Sequence, residues 1–149
     1  RSGIKKGFPV IAIQSGNVGV VGKVVTAGLD TSLVMPVYDT KCNISARVQN
    51  TRDIGIVSGN GSYGSPLNLQ YIRKRVFDSL NHGDIVVTSG ENGNYVKDIP
   101  IGRISKIKIL DYDSSLSIEL EPVIDFLRLE NVLVVDQKNL NDKPPLAKN

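Results

Sequence analysis

Gly83-Asp84-Ile85-Val86-Val87-Thr88-Ser89-Gly90, continued by Ile99-Pro100-Ile101-Gly102-Arg103-Ile104, decides the fold class of this chain. A β-branched run lies between turn residues on both sides, which is the pattern of a short strand. The loop 91–98 is too polar for a core, and a second strand follows it. Pro100 lacks an N–H, so that strand starts there or runs along an edge. Nothing in the stretch is chemically reactive, so it reads as scaffold.

The same grammar extends in both directions. Val10-Ile11-Ala12-Ile13 is a short buried strand, and Val18-Gly19-Val20-Val21-Gly22-Lys23-Val24-Val25 is a second, with Gly19 and Gly22 as bend or bulge points. Leu33-Val34-Met35-Pro36-Val37-Tyr38 is a third, moved towards an edge by Pro36. Strict alternation marks Ile44-Ser45-Ala46-Arg47-Val48-Gln49, Leu67-Asn68-Leu69-Gln70-Tyr71-Ile72, Ile104-Ser105-Lys106-Ile107-Lys108-Ile109-Leu110 and Leu116-Ser117-Ile118-Glu119-Leu120-Glu121. Asp53-Ile54-Gly55-Ile56-Val57-Ser58-Gly59 and Val132-Leu133-Val134-Val135 complete the strands. Helix is confined to single turns, one at 77–80 and one capped by Asp125. About ten short strands at roughly 8–12-residue spacing predict an all-β sandwich or barrel with little helix.

The bulk properties agree. The 149 residues suit one domain or two small ones, and 14 glycines with 7 prolines imply many turns. Hydrophobic residues make up 40%, largely Val and Ile, with no tryptophan, which favours sheet. The net charge of +3 and a pI near 9.0 are mild. The densest basic cluster, Arg73-Lys74-Arg75, reads as a solvated strand end rather than a nucleic-acid footprint. Cys42 is the only cysteine, so an internal disulfide and a thiolate-rich metal site are excluded. No apolar run approaches the ~20 residues of a membrane span. Residues 137–149, with Asn-Asp-Lys-Pro-Pro, read as a disordered tail.

An internal repeat ties the two ends of the pattern together. Lys6-Gly7-Phe8-Pro9-Val10-Ile11, then Gly22-Lys23-Val24-Val25, then Thr31-Ser32 and Val34 match His82-Gly83-Asp84-Ile85-Val86-Val87, then Gly102-Arg103-Ile104-Ser105, then Ser114-Ser115 and Leu116 or Ile118. Each copy runs from a turn glycine through a β-branched strand and a loop to a Gly-basic-β-branched strand. This predicts two related small antiparallel barrels, arranged sequentially.

The motifs that suggest chemistry do not survive their context. Gly59-Asn60-Gly61-Ser62-Tyr63-Gly64 fits G-x-G-x-x-G, but Ser65-Pro66 and a strand follow where a dinucleotide site needs a helix, so it is a hairpin loop. His82 is the only histidine, and its neighbours Asp84 and Ser89 lie along one strand, which disfavours a triad. Dispersed carboxylates leave loop oxygens as the one route to a cation site. The chain therefore carries no catalytic, cofactor or metal assignment. Tyr63, Tyr71 and Tyr95 are the candidate partner anchors, because aromatic side chains dominate binding hot spots. Core packing is the alternative for Phe8 and Tyr71. Tyr63 and Tyr95 lie in polar loops, and Tyr95 is the first target.

Read together, these residues resemble the periplasmic domain of the MreC family, the rod-shape-determining proteins of bacteria. The landmarks are Lys6-Gly7 with Pro9-Val10-Ile11; Val20-Val21-Gly22-Lys23-Val24 with Ser32; Gly55-Ile56-Val57-Ser58-Gly59; then Gly83, Asp84, Ser89, Gly90, Pro100 and Gly102 in the opening stretch; and Pro122 with Val132-Leu133-Val134-Val135. The loop 91–98 departs from the Gly-Gly and Phe-Pro-x-Gly of many relatives. The resemblance implies a non-enzymatic scaffold of cell elongation without cofactors. It implies two six-stranded β-barrels, one inserted in the other: 1–18 with 77–136 as the outer barrel and 19–76 as the insert. It further implies the periplasmic portion of an inner-membrane-anchored protein, its anchor and first strand outside this chain. The implied partners are an elongation penicillin-binding protein, MreB, MreD and a RodA-type glycosyltransferase, with self-association and no nucleic acid. The alternative class is an RNA-binding β-barrel, suggested by the basic pI.

Overall fold

The computed structural model describes residues 3–91 and 95–136. Ten strands follow in order: β1 Pro9–Gln14, β2 Asn17–Ala27, β3 Ser32–Pro36, β4 Asn43–Val48, β5 Ile54–Ser58, β6 Leu67–Gln70, β7 Ile85–Thr88, β8 Pro100–Lys108, β9 Ser117–Pro122 and β10 Leu133–Val134. Two short 3-10 turns, Lys74–Ser79 and Phe126–Arg128, are the other named elements. The Asp125 side chain caps the second by accepting from the Leu127 N–H. The two alternating runs 99–104 and 104–110 form one strand, β8, rather than two, because the extra residue that bends it leaves its pairing with β9 continuous.

All neighbouring strands pair antiparallel. β4-β5-β6-β9-β8-β7 close into a barrel, and β10-β1-β2-β3 form an open sheet. The all-β class therefore holds, with one closed six-stranded barrel. The second unit is four-stranded among the described residues. Alternation fills the barrel: Ile44, Ala46 and Val48 of β4, Leu67 and Leu69 of β6, and Ile118 and Leu120 of β9 all point inward and are buried. A smaller core of Val10, Ala12, Val21, Val24 and Ile124 lies under the open sheet, flanked by half-buried Phe8, Val34 and Val134.

The first two strands of the repeat read from sequence are visible bond by bond; in the third, the pairing makes Val34 equivalent to Leu120 rather than to Leu116 or Ile118. Val10 pairs with Gly22 and Val86 with Gly102, and each pair is followed at once by a bulge that leaves Val21 or Ile101 extra. Gly22 then pairs with Pro36 and Gly102 with Pro122. Gly7 and Gly83, both at φ +92, donate to Val24 O at 2.7 Å and Ile104 O at 2.8 Å. At Gly22 an added Cβ would overlap the Met35 carbonyl, and at Gly102 it would come within 2.6 Å of the Glu121 carbonyl. The strands β1-β2-β3 and β7-β8-β9 are thus copies of one bulged meander.

The fourth strand of each copy crosses to the other. β4 follows β3 yet pairs with β7, and β10 follows β9 yet pairs with β1. Val48↔Val86 and Val134↔Val10 are equivalent pairs, extended by Gln49 N to Ile85 O and Val135 N to Pro9 O, both 2.9 Å. This crossing corrects the expected boundaries. Strand pairing keeps 17–36 with β1 rather than with 43–70, and it joins β7, β8 and β9 to 43–70 rather than to the first strand. The changeovers lie between Pro36 and Asn43 and between Pro122 and Leu133. Neither the purely sequential split nor the 19–76 insert follows them. The barrel strands β4 to β9 are interposed between β3 and β10. The tail assigned to 137–149 lies outside the described residues.

Candidate partner-binding surface

The three tyrosines fall into different environments. Tyr95 is 3% exposed, so it is no surface anchor. Its hydroxyl donates to Gly22 O at 2.7 Å and lies 3.2 Å from Val10 O, so the polar loop after β7 reaches across to the β1–β2 bulge. The bulge disrupts the ladder locally, and buried carbonyls there take further hydrogen bonds. Local polarity suggested an exposed loop, but the tyrosine fills this tertiary need. Burial pushes its ionisation far above the ordinary phenol range. Cys42, also buried, is held up to about 11 by burial, partly offset by Lys23.

Tyr63 and Tyr71 are 52% and 63% exposed. Tyr63 sits in the β5–β6 hairpin loop, whose glycine-rich run is pinned by Asn68 Nδ2 donating to Asn60 Oδ1 at 2.8 Å. Its ring packs edge-on against Tyr38 at 6.3 Å, and Tyr38 packs edge-on against Phe126 at 5.0 Å. Tyr38 and Phe126 belong to the two crossover segments, so this aromatic ladder marks where the copies exchange strands.

Tyr71 stands on a bulge at the end of β6. Leu69 pairs with Ile118, yet Leu116 N donates to Ile72 O and Arg73 bridges to Ser115, so one extra residue has entered between them. Tyr71 takes φ +74, the left-handed conformation that glycine usually supplies in such a bulge. Beside it is a groove of about 240 Å³ with Leu69, Leu116 and Ile118 among its lining residues. Leu110, Asp113, Gln70 and Ser117 form more of its wall. Tyr112, 86% exposed, lies in the same 110–115 turn. Tyr112 is not among the candidate anchors, although it is an aromatic in a polar turn, as Tyr63 is.

The remaining motif residues are structural. Asp84 closes the turn before β7, with its carboxylate accepting from Asn50 Nδ2 at 3.0 Å and from Asn81 N at 2.9 Å. That carboxylate is thus engaged in the turn before β7, and His82 in the same turn is exposed. Ser89 Oγ accepts from Glu91 N, Gly90 takes φ +72, Pro100 opens β8, and Gly59 leaves room for the Tyr38 backbone. Among the described residues, no three His, Cys, Asp or Glu converge as metal ligands.

Fold and surface thus define a small all-β barrel protein whose accessible features are aromatic side chains and a groove. The family described as "Rod shape-determining protein MreC, barrel core" matches residues 1–136, and the chain belongs to that family. It is 26% identical over 146 residues to the "Cell shape-determining protein MreC" of Escherichia coli (strain K12), covering 98% of this chain and 38% of that protein. It is 31% identical over 140 residues to that of Cereibacter sphaeroides, covering 94% and 42%. The chain thus spans about two fifths of these relatives' length. Among solved structures, MreC of Pseudomonas aeruginosa superposes with a TM-score of 0.76 at 23% identity, covering 89% of this chain and 81% of that one. A complex between Penicillin-Binding Protein (PBP2) and MreC from Helicobacter pylori gives a TM-score of 0.56 at 20% identity, covering 77% and 69%.

Proposed function

We propose that this chain is the partner-binding portion of a non-enzymatic scaffold that maintains rod cell shape. On this reading it lies on the periplasmic side of an inner-membrane-anchored protein. It receives the ectodomain of an elongation penicillin-binding protein. Other portions of the protein link MreB, MreD and a RodA-type glycosyltransferase, and copies self-associate. Family membership supports the shape role, and the Helicobacter pylori complex, in which an MreC is bound to a penicillin-binding protein, supports the choice of partner. Among the described residues no helix is long and apolar enough to cross a membrane.

The observation that carries a binding role is the exposure of Tyr63 and Tyr71 on a framework whose polar motif residues are spent on turns and caps. Two units are retained in this proposal, the closed barrel and the open sheet. The sheet matches four barrel strands, β4, β7, β8 and β9, and it lacks counterparts of β5 and β6 among the described residues. Titration calorimetry of the chain against a purified elongation transpeptidase ectodomain tests the role. Saturable binding at one or more sites is expected, and heat indistinguishable from dilution rejects it. An RNA titration at two salt concentrations accompanies it, because phosphate contacts would give steep salt dependence.

A further inference from the structure

We infer that the groove beside Tyr71 is where an extended segment of the partner docks, placing one large apolar side chain against Tyr71 and Leu110 and a basic residue near Asp113. The inference rests on the proposed scaffold role and assigns its contact surface.

Three observations lead there. The bulge at the end of β6 puts a tyrosine where the backbone favours glycine, at φ +74. An aromatic side chain in that conformation lowers stability relative to glycine or asparagine. Yet the side chain is 63% exposed, so the fold recovers little of the loss through packing. Strain that internal packing does not offset is a mark of function, and bulges re-aim side chains at such places.

The groove itself selects the kind of ligand. At about 240 Å³ it is smaller than the usual ~300–1,000 Å³ of small-molecule sites, which favours one inserted side chain over a whole metabolite. Exposed Tyr71 and half-buried Leu110 offer apolar contact, while Leu69, Leu116 and Ile118 turn their side chains into the barrel core beneath; Gln70 and Ser117 offer hydrogen bonds to a peptide backbone. Asp113 is the one charged side chain among the lining residues, so a complementary segment carries a cation. Ile109 and Tyr112, both exposed, neighbour Leu110 and Asp113 in the chain.

The test uses the full chain and the transpeptidase ectodomain, with Y71N, Y71G and D113N as variants. Asparagine and glycine keep the left-handed backbone and remove the ring. The denaturation midpoint of Y71N and Y71G is expected to rise, while their affinity for the ectodomain falls about tenfold or more, as for a hot-spot aromatic. D113N is expected to weaken binding less and to flatten its dependence on salt. Wild-type binding with an unchanged Y71N affinity overturns the assignment and leaves the scaffold reading standing. A Y71N chain less stable than wild type also overturns it, because Tyr71 would then be a packing residue. Absence of wild-type binding rejects the scaffold reading, and the groove assignment with it.

Discussion

Replacing Tyr95 by phenylalanine removes a single oxygen at the join between barrel and sheet. That hydroxyl donates to Gly22 O at 2.7 Å and lies 3.2 Å from Val10 O, on a side chain only 3% exposed. Phenylalanine keeps the ring and its packing, so the loss is the hydroxyl's hydrogen bond to the buried Gly22 carbonyl, which also faces Val10 across the β1–β2 ladder. Such a loss costs about 1 kcal/mol, the usual net value of one intramolecular hydrogen bond. For a domain of this size, that lowers the melting temperature by roughly 3–5 °C. Urea unfolding followed by circular dichroism should show an earlier midpoint with an unchanged slope, since the surface exposed on unfolding stays the same. The pH dependence gives a second arm. Burial raises the folded phenol above its ordinary range, so this stability is fully present below about pH 10 and is lost as pH rises through the folded value. Y95F lacks the ionising group and should therefore lose less stability than wild type above about pH 10. A Y95F midpoint within about 0.5 kcal/mol of wild type, the ordinary range for surface changes, would refute the bridging role.

Two further outcomes follow from the core. Cys42 is raised from 9.0 to about 11 by burial, so its contribution is complete below pH 9 and disappears as pH climbs towards 11; C42A unfolding curves should be flatter across that window. Gly22→Ala and Gly102→Ala should each lower stability by about 3–5 kcal/mol in chemical denaturation, because the added methyl meets the carbonyl of the facing strand. A near-neutral result at Gly102 alone would separate the two copies and speak against their equivalence.

The strands were legible because alternation and turn residues are local properties. Leu67-Asn68-Leu69-Gln70 announces its buried face from four residues, and the Asp125 cap follows from its side chain. The repeat was legible for the same reason, since Gly22 and Gly102 are demanded by equivalent close approaches. Partner choice was not. β4 alternates in the same way whether it lies beside β1 or β7, and nothing in Ile44-Ser45-Ala46 encodes the crossing. Tyr95 was misplaced because the polarity of its loop describes its sequence neighbours, whereas its partners lie 73 and 85 residues away. Tyr71 was selected as an aromatic, but its strained backbone appears only when the register of β6 against β9 is known.

The pairing of Val10 with Val134 has a mechanical consequence. The chain enters the fold along β1 and leaves it along β10, and these strands lie side by side in antiparallel pairing over two residues. Tension applied between residues 9 and 134 therefore meets a two-residue zipper first, loaded in the direction that opens it one rung at a time. The closed barrel lies beyond that zipper and is not the first element strained. A pull between those two points should give way at β10 at low force, with a later, larger event when the barrel opens.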